Sequence, residues 1–471
     1  VTIYQYFLRS IVIAGSFSAP VLSLAEASQS NLDLTLKKLI DFHQLKGEPQ
    51  LAIPKVDIKS PMAQLGKRLF FSPTLSGNND IACVTCHHPV LGGSDKLPLP
   101  VGIDAIDPDK IGPGREQSPK SPEFDGGPNV PRNSLSTFNT VFYSRCMFWD
   151  CRVEALGAAP GKNGLDHTTM RTPDTSMGMS RIRAKNLLEA QAAFPVTSNE
   201  EMRGFFLDGE DNGLLRRTLA KRFADNPKQW LEDFRKAFEK PKAGKEIITF
   251  ENIVTAIAAY EASQVFVDNP WKDYVNGDLS ALSEDAKKGA LLFFQSPSQG
   301  GYGCAACHSG DFFTDESFHV TAMPQIGRGK DDGEHEDNDF GRFILSGDPV
   351  HKFAFRTPTL LNVEVTTPYG HAGAYKSLRS TIRHMINPQQ ALLKYDYSLK
   401  QLDMKIQNSN AKKNTKEALK QLNHLQANGK SKLKSQPINE KHVDQLLEFL
   451  LTLTDPCTKQ ASCLIDWFLI K

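Results

Sequence analysis

LGKRLFFSPTLSGNNDIACVTCH, residues 65–87, has a second copy in the same chain, KKGALLFFQSPSQGGYGCAACH, residues 287–308. Each reads as an amphipathic helix ending in Leu-Phe-Phe, then Ser-Pro, a Gly-rich turn, and Cys-x-x-Cys-His. Two copies predict an internal repeat with a domain of ordinary size behind each. Cys-x-x-Cys-His is the attachment pattern of a c-type haem: the two thiols form thioethers, and the adjacent His ligates the iron from that face. A zinc knuckle needs four ligands, and no second matching pair lies near either copy. A redox dithiol gives no reason for His at the same offset twice. Cys83, Cys86 and His87, and likewise Cys304, Cys307 and His308, are therefore read as two covalent haem sites, with His87 and His308 as proximal ligands. His88 is read as an ordinary polar neighbour.

Composition bounds the rest. The 471 residues are 40% hydrophobic, enough for more than one core, and the net charge is +1. Neither a nucleic-acid-binding basic face nor an acidic disordered chain is expected. In residues 1–25, Arg9 is the only charge before Glu26, and the apolar run ends in Ser23-Leu24-Ala25. That pattern predicts a cleaved signal peptide and a periplasmic protein. Pro20 and several serines interrupt the run, which argues against a membrane anchor, and no other stretch is long enough to span.

The periodicity is mostly helical. Residues 249–266 place Ile253, Ile257 and Tyr260 at helical spacing behind Thr249, a cap candidate. Residues 439–455 do the same with Val443, Leu446, Leu447 and Leu450. Residues 104–132, rich in Pro, Gly and Asp, read as a long surface loop. Residues 405–436, polar and basic, read as a solvated helix with a loose tail, a docking patch being the other reading. The fold class expected is mainly α: two cytochrome c-like haem domains related by the internal repeat. The N-terminal domain spans 33–270, the C-terminal domain 271–455, and a tail 456–471.

From about residue 50 to 455 the chain resembles the bacterial di-haem cytochrome c peroxidases and their MauG-type relatives. The resemblance rests on PRNSLSTFN, FWDCR, LLEAQAAFPVTSNEEM, HSGDFFTDESFH, DFGR, FRTPTLLNV and PYGHAG, in family order, besides the two haem motifs. It implies that peroxide reacts at the N-terminal haem, with Gln191 and Glu201 on its open face and Pro195 at the family spacing. It implies Trp149 between the haems and Met385 as the second ligand of the C-terminal haem, with adjacent His384 as a rival. It also implies a calcium ion held by Asn133 and the carbonyls of Thr366 and Pro368.

Three departures stand out. The peroxidases have a second His sixteen residues after the first proximal His, opposite it on the iron; here that position is Ile103, which predicts an open iron at rest. About thirty residues around GKNGLDHTTMRTPDTSMGMSR look inserted between Trp149 and Gln191, bringing His167, Met170, Met177 and Met179. The family glycine after Trp-Asp is Cys151. With four cysteines committed to haem and an oxidising compartment, Cys146–Cys151 and Cys457–Cys463 are read as disulfides.

The function expected is reduction of hydrogen peroxide to water, with electrons from a small periplasmic cytochrome c or copper protein; a homodimer is allowed. A MauG-like oxidase acting on a partner protein and a non-catalytic electron carrier are the alternatives.

Overall fold

The computed structural model describes residues 30–469 except 52–53, 158, 160–161, 166–168 and 177–183. The expected signal peptide lies outside the described residues, as do His167, Met177 and Met179.

Two helix pairs organise the molecule. Pro61–Phe70, capped by Ser60 with Pro61 in its first turn, crosses Phe250–Ala262, capped by Thr249. Glu284–Phe294, capped by Ser283, crosses Glu440–Leu451, capped by Asn439. The two crossings share one device. A Cβ on Gly66 would lie 1.9 Å from the carbonyl oxygen of Ala256 and 2.9 Å from Cβ of Tyr260. A Cβ on Gly289 would lie 1.9 Å from the carbonyl oxygen of Gln445 and 2.9 Å from Cβ of Phe449. Glycine is needed at both positions because the backbones touch. Phe70 meets Tyr260 at 4.9 Å between ring centroids in the first pair, and Phe293 meets Phe449 at 5.2 Å in the second.

Each end of the chain packs on the far pair. The helix Asn31–Phe42 lies against Glu284–Phe294, where Asp33 accepts from the Tyr274 hydroxyl at 2.8 Å and pairs with Lys287 at 2.8 Å. At the other end, Tyr260 donates its hydroxyl to the Trp467 carbonyl at 2.6 Å, and Lys67 donates to the Asp466 carbonyl at 3.0 Å.

The sheet content is small: an antiparallel sheet of Cys146–Met147, Val153–Leu156 and Thr169–Arg171 in sequential order, and a two-stranded pair Phe318–Val320 with Ala354–Arg356. Among the described residues, no helix is long and apolar enough to cross a membrane.

Four details revise or sharpen the sequence reading. The helices expected over 249–266 and 439–455 stop at Ala262 and Leu451 because the residues beyond them pair elsewhere. The Gln264 carbonyl accepts from the Asn139 amide, and the Leu453 carbonyl from the Asn362 amide. The stretch 104–132 lacks helix, as expected, yet it is pinned rather than draped over the surface. Arg115, 2% exposed, donates to the carbonyls of Val101, Gly102, Asp107, Pro108 and Lys110. The basic stretch forms the helix Ala411–Ala427, and its tail is tied down, with the Gln436 amide on the Ile386 carbonyl at 3.0 Å. Cys146–Cys151 and Cys457–Cys463 are disulfides, and the four motif cysteines are unpaired. Cys151 sits at φ 57°, a left-handed conformation that a glycine takes freely, and its carbonyl is held by Arg342.

Candidate active site

Cys83, Cys86 and His87 form one wall of a cavity of about 630 Å³. The short turn Cys83–Cys86 presents both thiols, and the imidazole follows immediately. Nδ1 of His87 faces the Gly93 carbonyl at 3.3 Å, and Nδ1 of His308 faces the Phe313 carbonyl at 3.0 Å. A ring N–H donated to a carbonyl leaves Nε2 with its lone pair, the tautomer that iron ligation needs. Burial lowers the pKa of both rings and keeps them neutral. Burial also pushes the thiols of Cys83 and Cys304 up to about 12, and that of Cys86 upward. A redox dithiol works through its thiolate, so this environment disfavours that reading. His88 has a local role: its Nδ1 accepts from the Val90 amide at 3.1 Å.

Gln191 and Glu201 line the same cavity. Gln191 is in the last turn of the helix Leu187–Ala192, and Pro195 opens the next turn. Glu201 lies in Asn199–Arg203, where the Arg203 amide bonds to the Ser198 carbonyl and the Gly204 amide to the Asn199 carbonyl. This i→i−5 pattern is a π-type turn, a feature concentrated at functional sites. Oε1 of Glu201 accepts from Nη2 of Arg152 at 3.4 Å, and the Arg152 guanidinium lies 3.8 Å over the Phe148 ring. Burial raises the Glu201 pKa, against the pull of Arg152. Glu200 shares the burial, but Lys330 and the Ser198 hydroxyl bring its pKa below the ordinary value. Two adjacent carboxylates thus differ by environment, the pattern of an acid–base site.

Ile103 is a core residue, 2% exposed. Its amide donates to the Glu200 carbonyl at 3.3 Å, and a Cβ on Gly102 would lie 1.9 Å from that same oxygen. Asn129 ties the two strands of chain together, accepting from the Gly102 amide and donating to the Glu200 carbonyl. The position where the peroxidases carry a ligand therefore props the segment bearing Glu201.

Trp149 also lines the cavity, and its Nε1 donates to the Asn133 carbonyl at 2.9 Å. The second half of the chain clamps this segment. The Arg356 amide donates to the Trp149 carbonyl at 2.8 Å, and Arg342 donates to the carbonyls of Asp150 and Cys151. Buried Arg132 bridges Asp339 and Asp150, each at 2.7 Å.

Asn133 donates its carboxamide N–H groups to the carbonyls of Leu97 and Pro98 at 2.9 and 3.2 Å, which orients Oδ1 away from them. The carbonyls of Thr366 and Pro368 accept no hydrogen bond among the described residues. Oxygen donors left without partners fit a hard cation such as calcium.

In the second half, Met385 lies in the last turn of the helix Leu378–Ile386, half-buried against a cluster with Leu99 and Tyr375. His384 is fully engaged: Nε2 donates to the Thr321 carbonyl at 2.9 Å, so Nδ1 accepts from the Tyr375 hydroxyl at 2.9 Å. Its two nitrogens are thereby committed within the protein. Of the inserted residues, Met170 packs half-buried on the main core, and Pro173 lines the cavity.

Sequence reasoning missed two cavity residues. Arg152, two residues beyond Asp150 in FWDCR, reads as part of a family segment, and only the fold pairs it with Glu201. Glu261 is 6% exposed, one of its oxygens has no partner, and burial pushes its pKa up to about 8. A lone acid inside the apolar stripe AIAAYEASQVF was the available signal.

The family model described as di-haem cytochrome c peroxidase matches residues 60–280. Cytochrome c551 peroxidase of Pseudomonas aeruginosa is 29% identical over 375 residues, which cover 79% of this chain and 83% of that protein. MauG of Methylorubrum extorquens is 27% identical over 401 residues, covering 84% and 88%. Over most of its length the chain is similar to the di-haem cytochrome c peroxidases and MauG proteins. Among solved structures, a MauG-like protein associated with microbial copper homeostasis matches with a TM-score of 0.55 at 20% identity, over 89% of this chain and 96% of that one. The diheme peroxidase BthA from Burkholderia thailandensis matches with a TM-score of 0.52 at 18% identity, over 87% and 94%. These two likenesses concern the fold.

These likenesses indicate a haem-dependent oxidoreductase of the peroxidase/oxidase type. The residues present fit that complement: four unpaired motif cysteines beside two neutral imidazoles, each with one nitrogen held by a carbonyl.

Proposed function

We propose that this di-haem enzyme reduces hydrogen peroxide to water in the periplasm, drawing electrons from a small cytochrome c or cupredoxin. The observation that carries the reading is one cavity. It brings Cys83, Cys86 and His87 together with Gln191 and Glu201, and Ile103 holds the sequence position, sixteen after His87, at which the peroxidases carry the opposing ligand. Residues 33–270 and 271–455 are the two haem domains, and the matched Gly66 and Gly289 crossings support their descent from one unit.

A haem held by Cys83, Cys86 and His87 supplies the iron that binds peroxide and the electrons that break its O–O bond. Glu201 takes the proton from the near oxygen and returns it to the leaving oxygen. Gln191 orients the peroxide by hydrogen bonding. Arg152 holds Glu201 in place and opposes the rise of its pKa on burial. Each turnover consumes one peroxide, two electrons and two protons and yields two waters. His308 and Met385 would hold the second haem, which would supply electron entry, and Trp149, gripped from both halves, would carry electrons toward the first. Asn133, Thr366 and Pro368 hold a calcium ion that fixes the junction. The MauG-like reading shares the open iron but lacks a Tyr at position 385.

Peroxide turnover by the all-ferric holoprotein tests this. With a reduced mono-haem cytochrome c, two donors are expected to be oxidised per peroxide consumed, without a lag that prior reduction removes. Absence of peroxide consumption would indicate an electron carrier. Consumption that appears only with a protein substrate would indicate a MauG-like oxidase.

A further inference from the structure

Residues 405–436 contain eight lysines and one glutamate, in a chain whose net charge is +1. All eight lysines are exposed. The helix Ala411–Ala427 buries Ala411, Asn414, Thr415, Ala418, Leu422 and Leu425, so Lys412, Lys416 and Lys420, four residues apart, form one outward stripe. The N-terminal end of this stripe faces an acidic loop. Lys413 pairs with Glu334 at 3.1 Å, and Asn410 and Asn414 bond to Asp337. Toward the C-terminal end the charge is largely unopposed. Among the described residues, the lysines of this segment make only one other ion pair, Lys432 with Asp315.

That end lies on the second haem-attachment turn. Nζ of Lys432 donates to the Ala306 carbonyl at 2.9 Å, and Nε2 of Gln436 donates to the Gly301 carbonyl at 3.3 Å. The two Cys-x-x-Cys turns differ in exposure. Val84 and Thr85, between Cys83 and Cys86, are both buried, whereas Ala306, between Cys304 and Cys307, is exposed. Ala305 is buried like Val84 and Thr85, and all four motif cysteines are half-buried, so the difference is the exposed Ala306 of the second turn. A protein seated on the lysines next to Ala306 would stand over the Cys304–Cys307 turn.

We infer that the lysine face from Lys416 to Lys434 docks an acidic electron-donor protein over the Cys304–Cys307 turn; this deepens the peroxidase reading above and rests on it. Clustered like charge beside a site of electron entry raises the encounter rate and selects partners of opposite sign. A negatively charged small redox protein is the occupant that charge and position together favour. An anionic lipid surface would match the charge but gains nothing from the adjacent haem turn.

The holoprotein and its triple variant Lys420→Glu/Lys430→Glu/Lys434→Glu test this, with Lys432 left in place because it holds the Ala306 turn. The probes are plant-type plastocyanin, which is acidic, and mitochondrial-type cytochrome c, which is basic. At low salt the variant is expected to lose about tenfold in the second-order rate with plastocyanin, and the wild-type rate to fall with added salt. The Kd for redox-inert, cadmium-substituted plastocyanin should weaken in parallel. Peroxide consumption driven by hydroquinone, a small neutral reductant, should be unchanged. If wild type consumes no peroxide with hydroquinone, the peroxidase reading fails, while the binding titration still reports on docking. An unchanged Kd for plastocyanin in the variant overturns the inference, as does equal salt-insensitive use of both donors. Loss of binding only to vesicles of anionic phospholipid overturns it in favour of a membrane surface.

Discussion

Glu201→Gln lowers kcat for peroxide reduction by about 10²–10⁴-fold while both haems stay attached. Glutamine preserves the shape and keeps a hydrogen-bond acceptor for Arg152, so the pocket retains its form. It cannot accept a proton from bound peroxide at ordinary pH or return one to the leaving oxygen. Steady-state rates with a reduced cytochrome c, alongside haem stain and absorbance spectra, separate lost chemistry from lost assembly. The pH profile adds a signature that a structural role would not produce. Burial raises the Glu201 pKa, and the base must be ionised to act. Wild-type activity therefore falls as pH drops through that raised pKa, and Glu201→Gln removes the acid limb. Arg152 opposes the upward shift, so Arg152→Ala moves the limb to higher pH.

Gly289→Ala destabilises the protein by about 3 kcal/mol, and Gly66→Ala by a similar amount. The sign is informative. Alanine is the better helix former by about 1 kcal/mol, so an exposed helical glycine would gain from the change. Here the added methyl would lie 1.9 Å from a carbonyl oxygen of the partner helix at either site, and neither helix can move without opening an aromatic core. Gly300→Ala is the contrast: its methyl meets nothing within 4 Å, but φ is 91°, so a backbone penalty of about 1–2 kcal/mol is all that is expected. Denaturant unfolding of the holoproteins measures all three. Losses of similar size at Gly66 and Gly289 support a duplicated helix crossing, and a gain at either would contradict it.

Much of this was legible in the chain because it is local. Caps at Ser60, Thr249, Ser283 and Asn439, the Leu-Phe-Phe helix ends and the two Cys-x-x-Cys-His turns are all short-range patterns. The glycines before Leu-Phe-Phe were visible as well, but their purpose was not, since it lies in carbonyls about 150–190 residues away along the chain. Helix ends at Ala262 and Leu451 were set by pairing with residues 139 and 362, which no periodicity encodes. The stretch 104–132 carried loop chemistry throughout, and a single buried guanidinium, Arg115, organises it against expectation. The choice between His384 and Met385 stayed open in the sequence because adjacent residues offer equal reach. It narrows only when Tyr375 and Thr321 are seen to occupy both imidazole nitrogens. Glu201 was reached by resemblance, whereas its partner Arg152 needed the fold.

The most direct test of the account is the EPR spectrum of the as-isolated, all-ferric holoprotein. With Ile103 packed under the Glu200 carbonyl, one haem is expected to be high-spin. The other, between His308 and Met385, is expected to be low-spin. A spectrum containing two low-spin haems and no high-spin signal would contradict the open peroxide site on which the account depends.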